Sequence, residues 1–123
     1  MQITMNRRDV GILGEKLAAN FLKRKGYSIR EINFRCKQGE IDIVSEKNDY
    51  LVFVEVRTKT SNDFGIPEES ITRAKKEKLI ASALTYITTH HHLPVLWRID
   101  FVAVELSPKG KATRIELFEN AIS

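Results

Sequence analysis

Three acidic side chains stand inside what otherwise read as core β-strands. In "GEIDIVSEKNDYLVFVEVRTK", Gly39 to Lys59, Glu40 and Asp42 interrupt the apolar run Ile41, Ile43, Val44. Glu55 interrupts Leu51 to Val56, with Arg57 and Lys59 directly after it. An acid in a core strand is costly unless something pairs with it. Strand alternation puts Leu51, Phe53, Glu55, Arg57 and Lys59 on one face and Val52, Val54 and Val56 on the other. In the preceding strand it puts Glu40 and Asp42 opposite Ile41 and Ile43. A tight hairpin around Lys47–Asp49 makes the two strands antiparallel neighbours, so that Asp42 and Glu55 converge near one end.

Converging carboxylates repel, and one must protonate unless a cation sits between them. Hard divalent ions such as Mg²⁺ and Mn²⁺ take carboxylate, carbonyl and water oxygens. Asp42, Glu55 and a backbone carbonyl between Glu55 and Arg57 supply such a donor set. A cation two residues past Glu55 could hold water and phosphate, which is the logic of metal-assisted phosphodiester hydrolysis. A second reading stands beside this one: Asp42 and Glu55 pair with Arg57, Lys59 or Arg35 as structural ion pairs at a sheet edge. Glu15 weighs on the first side. It heads a helical row with Ala18, Ala19 and Leu22, and the small residues Gly11, Gly14, Ala18 and Ala19 would let that helix approach the sheet closely.

The elements that must position these groups follow from periodicity and punctuation. Val10, Leu13, Leu17 and Phe21 predict a helix over about Asp9–Lys25, with Asp9 as N-cap and Gly26 as its stop. "YSIREINFR" predicts a strand anchored by Ile29 and Ile32, followed by the two charged strands. "TSNDFGIPEES" is loop chemistry. A second helix is expected over about Ser70–Thr89, with Ile80, Ala83, Leu84 and Ile87 as its core face, ended by "HHHLP". "VLWRIDFVAVEL" is a strand with Trp97, Ile99, Phe101 and Ala103 on one face, and "ATRIELF" is the last strand. The order α-β-β-β-α-β-β implies an α/β fold, with one mixed central sheet flanked by helices.

At 123 residues the chain has the size of a single domain, with 42% apolar and 29% charged residues. No apolar run reaches transmembrane length and "MQITMNRRDV" lacks a signal-peptide centre, so no membrane partner and a cytoplasmic location are expected. Cys36 is the only cysteine, which excludes an intramolecular disulfide and a Cys-based zinc site. It reads as a small half-buried residue, with nothing to activate it. His90 to His92 read as a solvated helix end, and Arg98 with Asp100 as a structural pair or part of the site's rim.

The net charge of +4 hints at an anionic partner. Its distribution says more. Arg73, Lys75, Lys76 and Lys78 crowd the start of the second helix, where basic residues oppose the helix dipole. A phosphate backbone would account for them, as would a solvated face with Glu69 and Glu77 as partners. Arg7, Arg8, Arg35 and Lys37 add positive charge beside the proposed site.

The run from "GEKLAANFLKRKGY" through "NFRCKQGEIDIVSEKNDYLVFVEVRTK" to "FGIPEESITRAKKEKL" and "WRIDFVAV" resembles the YraN family, a bacterial family of small proteins. That family is related to restriction-endonuclease-like nucleases and to archaeal Holliday junction resolvases. The resemblance covers roughly Gly11 to Val104. It implies a restriction-endonuclease-like core and a PD-(D/E)xK-type site falling on Glu15, Asp42, Glu55 and Arg57. The implied function is a Mg²⁺- or Mn²⁺-dependent endonuclease acting on DNA, including branched forms. Asp42 and Glu55 would bind metal with help from Glu15, and Arg57 with Lys59 would orient water and phosphate. The nuclease motif usually ends in Lys where this chain has Arg57. Arginine stays protonated and cannot act as a general base, so a nucleic-acid-binding module that keeps the fold without cutting is the competing reading. Junction-cleaving relatives cut two strands as dimers, and a homodimer is expected here by that analogy.

Overall fold

The computed structural model describes residues 5–60 and 71–122. Its elements follow the expected order: α1 (Arg7–Arg24), β1 (Ser28–Cys36), β2 (Gly39–Lys47), β3 (Tyr50–Thr60), α2 (Arg73–Thr89), β4 (Leu96–Leu106) and β5 (Ala112–Ile122). The strands form one five-stranded sheet in chain order, antiparallel except for the parallel β3–β4 pair. Only that pair needs a crossover, and α2 lies within it.

Each helix covers one face of the sheet. Ala18, Ala19 and Leu22 of α1 pack on Val52, Val54, Val56, Val102 and Val104. Leu79, Ala83 and Tyr86 of α2 pack on Leu51, Phe53 and Ile99 from the other side. Covering both faces explains why Leu51–Val56 and Ile99–Val104 are buried without interruption. The expected loop chemistry of Ser61–Ser70 and the "FGIPEE" part of the resemblance lie outside the described residues.

Helix α1 begins earlier than expected. Its N-cap is Asn6, whose Oδ1 accepts the Asp9 N–H at 2.8 Å, so Asp9 is a first-turn acid and not the cap. Its end matches the expectation. Gly26 has φ +91, its N–H bonds the Lys23 carbonyl, and the Tyr27 N–H bonds the Leu22 carbonyl. That pattern is a Schellman motif, and it buries Tyr27 and Leu22. The hairpin turn is tight as expected, with Lys47 paired to Tyr50 across Asn48 and Asp49.

Two core faces differ from expectation. In β1 a bulge between Ile29 and Glu31 breaks strict alternation. Ile29 is half-buried, Ile32 is 44% exposed, and Phe34 becomes the buried anchor. In α2 the buried face is Leu79, Ser82, Ala83 and Tyr86, while Leu84 is 47% exposed. Tyr86 turns the helix. Its ring packs edge-on against Phe34 at 5.0 Å and Phe53 at 5.7 Å, and its hydroxyl accepts from Arg30 Nε at 3.1 Å. Counting only aliphatic residues shifted the inferred face by one position. Helix α2 begins at Arg73 with Thr72 as N-cap, a little later than expected.

The small residues of α1 act as expected at one point above all. A Cβ at Gly14 would lie 1.8 Å from Thr58 Oγ1 and 2.7 Å from Thr58 Cβ. Gly14→Ala should therefore lose about 1–3 kcal/mol through overpacking, although Ala is the better helix former by roughly 1 kcal/mol. Thermal melting followed by circular dichroism checks this; an unchanged midpoint would mean that Thr58 moves aside at no cost.

Candidate functional site

The β2–β3 ladder runs from Lys47↔Tyr50 to Ile43↔Val54 and stops one step before Asp42 would meet Glu55. At that step the Asp42 side chain takes over, and its Oδ2 accepts the Val56 N–H at 2.8 Å. The strand turns over as it leaves the ladder. Ile43 packs in the core under α1, whereas Ile41, two residues away, packs under α2. Asp42 therefore does not share a simple face with Glu40 opposite both isoleucines, as alternation had suggested. It sits at the split between two strands, within reach of both sides of the sheet.

Glu55 stands on the α2 side and is only 3% exposed. Its Oε2 lies 3.4 Å from Lys75 Nζ and 3.5 Å from Arg57 Nε. The Arg57 contact is Coulombic: that nitrogen makes no hydrogen bond among the described residues. Burial first, and then repulsion by Asp42, push the Glu55 carboxyl well above the usual carboxylate range, with Lys75 and Arg57 pulling the other way. Glu55 Oε1 is buried with no hydrogen-bond partner.

Glu15 approaches Asp42 from the α1 side. It is half-buried, and its Oε1 is likewise buried without a hydrogen-bond partner. Burial, then the charges of Asp42 and Glu40, raise its pKa to about 7, against the opposing pull of Arg35. Glu15, Asp42, Arg57, Thr58 and Arg7 line a cleft of about 550 Å³ between α1 and the end of β3.

The site residues inferred from sequence are thus partly assembled. Asp42 couples to Glu15 on one side and to Glu55 on the other. Among the described residues, however, no group of three or more His, Cys, Asp or Glu side chains gathers closely enough to hold a metal ion. The expected three-carboxylate set is a chain with Asp42 in its middle. Lys59 lies two residues past Arg57, half-buried, opposite Glu105 in the β3–β4 register. Two buried carboxylate oxygens without partners, flanking a third carboxylate, are what a hard cation would satisfy. On that observation Asp42 with Glu55 could offer two carboxylates to a Mg²⁺ or Mn²⁺ ion otherwise held by water, while Glu15 stands on the other side of Asp42.

The basic residues divide into two kinds. Arg73, Lys76, Lys78 and Lys37 are exposed, and Arg73 pairs with Glu77 at 3.5 Å. Arg35 is exposed and pairs with Glu40 at 3.5 Å. Lys75 differs from the rest of its helix, because it is turned inward onto Glu55. Arg35, Lys75 and Lys78 meet around a shallow pocket of about 350 Å³. Glu69, the other expected partner of this face, lies outside the described residues.

Other sequence readings resolve without chemistry at the site. Buried Asp100 accepts from Tyr27 Oη at 3.1 Å, Arg98 Nε at 3.0 Å and the Asn120 N–H at 2.8 Å, so Arg98 and Asp100 form a structural pair. His90 stacks on Tyr86 at 3.7 Å, while His91 and His92 are exposed. Cys36 is half-buried as expected, but its surroundings are not neutral. Burial raises its thiol, yet contacts with the Ser82 and Thr85 hydroxyls and the Gln38 and Gly39 backbone leave it below the usual value.

Fold and site together define an α/β protein with a cleft lined by Glu15 and Asp42 on the α1 side of the sheet and a basic helix on the other face. The chain belongs to the family described as "Uncharacterised protein family UPF0102", whose profile matches residues 14–104. It is 51% identical over 119 residues to a UPF0102 protein of Dehalococcoides mccartyi, covering 95% of both chains. It is 42% identical to a UPF0102 protein of Caldanaerobacter subterraneus subsp. tengcongensis, covering 85% of this chain and 86% of that one. A UPF0102 protein of Roseiflexus castenholzii is 42% identical over 98% of each. Among the described residues, no helix is long and apolar enough to cross a membrane.

Proposed function

We propose that the chain is a Mg²⁺- or Mn²⁺-dependent endonuclease that hydrolyses DNA phosphodiester bonds, on a restriction-endonuclease-like core. The observation that carries this reading is the pair of partnerless buried oxygens, Glu15 Oε1 and Glu55 Oε1, on either side of Asp42. When bound, a hard divalent ion supplies an acidified water and neutralises charge on the phosphate. Asp42 and Glu55 hold that ion, and Glu15 accepts a hydrogen bond from water in the cleft. Arg57, beside both the cleft and Glu55, offers a permanent charge to a phosphate oxygen. The exposed Arg73, Lys76 and Lys78 give the DNA backbone a surface to follow. A substrate with two scissile strands calls for two copies of the chain, hence a homodimer.

One observation favours a second reading. Arg57 cannot serve as a general base, and both it and Lys75 are already engaged with Glu55. A DNA-binding module that keeps the fold without cutting fits those facts.

The test is cleavage of linear, nicked and branched DNA by the wild-type chain with Mg²⁺ or Mn²⁺, set against binding of the same DNA with Ca²⁺. Metal-dependent cleavage supports the endonuclease. Binding without cleavage in either metal gives the module, and neither binding nor cleavage removes both.

A further inference from the structure

We propose that Lys75 of α2 is a further phosphate-binding cation of the site, taking the scissile phosphate next to Glu55 alongside Arg57; this rests on the nuclease-like reading of the site. Three observations converge on it. Among the described residues, Lys75 is the one lysine of the helix's basic half that is held against a buried acid, with its ammonium 3.4 Å from Glu55 Oε2. At 29% exposure it is neither sealed in the core nor free in solvent, so an incoming anion can reach it. Its place is also fixed, because the Lys75 N–H donates to the Thr72 side chain at 3.1 Å and locks the first turn of α2.

The chemistry follows from crowding at one oxygen. Lys75 and Arg57 share Glu55 Oε2, while Oε1 has no hydrogen-bond partner. A divalent ion on Glu55 would satisfy that carboxylate and repel the nearby ammonium. Released from Glu55, Lys75 has a phosphate oxygen as its natural partner, since its compact charge and rotatable donors suit a tetrahedral anion. Arg35 and Lys78 share its shallow pocket and are placed to take the adjoining phosphate. Local spacing shows none of this, because Lys75 reaches Glu55 only through the β3–α2–β4 crossover.

The test compares Lys75→Met, Lys75→Arg, Glu55→Gln, the double variant Glu55→Gln/Lys75→Met and a control, Lys109→Met, in the exposed turn before β5. Branched-DNA binding is read by fluorescence anisotropy in Ca²⁺ over a range of salt, alongside thermal stability and cleavage in Mn²⁺. Lys75→Met should weaken binding about tenfold and reduce the salt slope by about one, while Lys75→Arg and Lys109→Met stay within about twofold of wild type. If Lys75 were merely a counter-ion for Glu55, the double variant would regain stability and bind DNA as tightly as Glu55→Gln alone, which lacks the same metal ligand. The expected result is regained stability with affinity still below that of the single variant Glu55→Gln. Wild-type affinity in Lys75→Met, or a double variant that binds as tightly as Glu55→Gln, overturns the proposal. Cleavage by wild type together with normal binding by Lys75→Met sinks this inference and leaves the nuclease standing. Binding lost in Lys75→Met, in a wild type that never cleaves, sinks the nuclease and leaves Lys75 as a phosphate ligand. A wild type that binds no DNA overturns both.

Discussion

On the proposed endonuclease function, Asp42→Asn should lower Mn²⁺-dependent DNA cleavage by about 10³-fold, an activation cost of roughly 4 kcal/mol. The change removes the charge at the centre of the carboxylate chain while keeping an oxygen for the Val56 N–H, which Asp42 now accepts at 2.8 Å. Asn is therefore a cleaner probe than Ala, because Asp42→Ala would leave a backbone donor unpaired at a cost of about 1–3 kcal/mol. Glu55→Ala should show a comparable loss of rate. Single-turnover rates, with melting curves to show that the variants are folded, provide the measurement. Wild-type rates in Asp42→Asn would take the metal away from this carboxylate.

Glu55→Gln should make the metal-free protein more stable, by roughly 2–3 kcal/mol at pH 8. The sign follows from linkage. The folded-state pKa of Glu55 lies above its ordinary value of 4.5, because burial and Asp42 both disfavour the charge. Between those two values the unfolded chain has lost a proton that the folded chain keeps, so wild-type stability falls as pH rises through the neutral range. Glu15 adds to the same slope, with a folded value of about 7. Below pH 4.5 Glu55 is neutral in both states, and the variant should melt close to wild type. Denaturant titrations at several pH values in EDTA check this. Mn²⁺ should close the gap: at a concentration a hundred times its Kd it would stabilise wild type by about 2.7 kcal/mol, offsetting the advantage of the variant, which it should affect little. A variant less stable than wild type at pH 8 without metal would mean that the ion pairs with Lys75 and Arg57 outweigh the cost of burial.

Much of this arrangement is legible in local sequence pattern. Period-2 alternation placed Glu55 and Arg57 on one strand face, and the structure has them 3.5 Å apart. The tight turn at Asn48–Asp49 fixed the register, and extending it one step brings Asp42 opposite Glu55. The small residues of α1 signalled a close approach, which occurs where Gly14 meets Thr58. The errors were also local in origin. Ile32 was counted as an anchor because the bulge in β1 leaves no mark on hydrophobic spacing. The face of α2 was displaced because Tyr86, half polar, carries more of the packing than its aliphatic neighbours.

The sequence by itself determined the elements, their order and the chemical types available at the site, since hydrophobic period and turn residues act over a few positions. Tertiary structure alone decided which oxygens lose water, that Asp42 sits where β2 and β3 part, and that Lys75 rather than its neighbours turns onto Glu55. Those outcomes depend on where β2 leaves the ladder and how the crossover seats α2. Desolvation and charge coupling are set by distances between elements far apart in the chain, which no local pattern encodes.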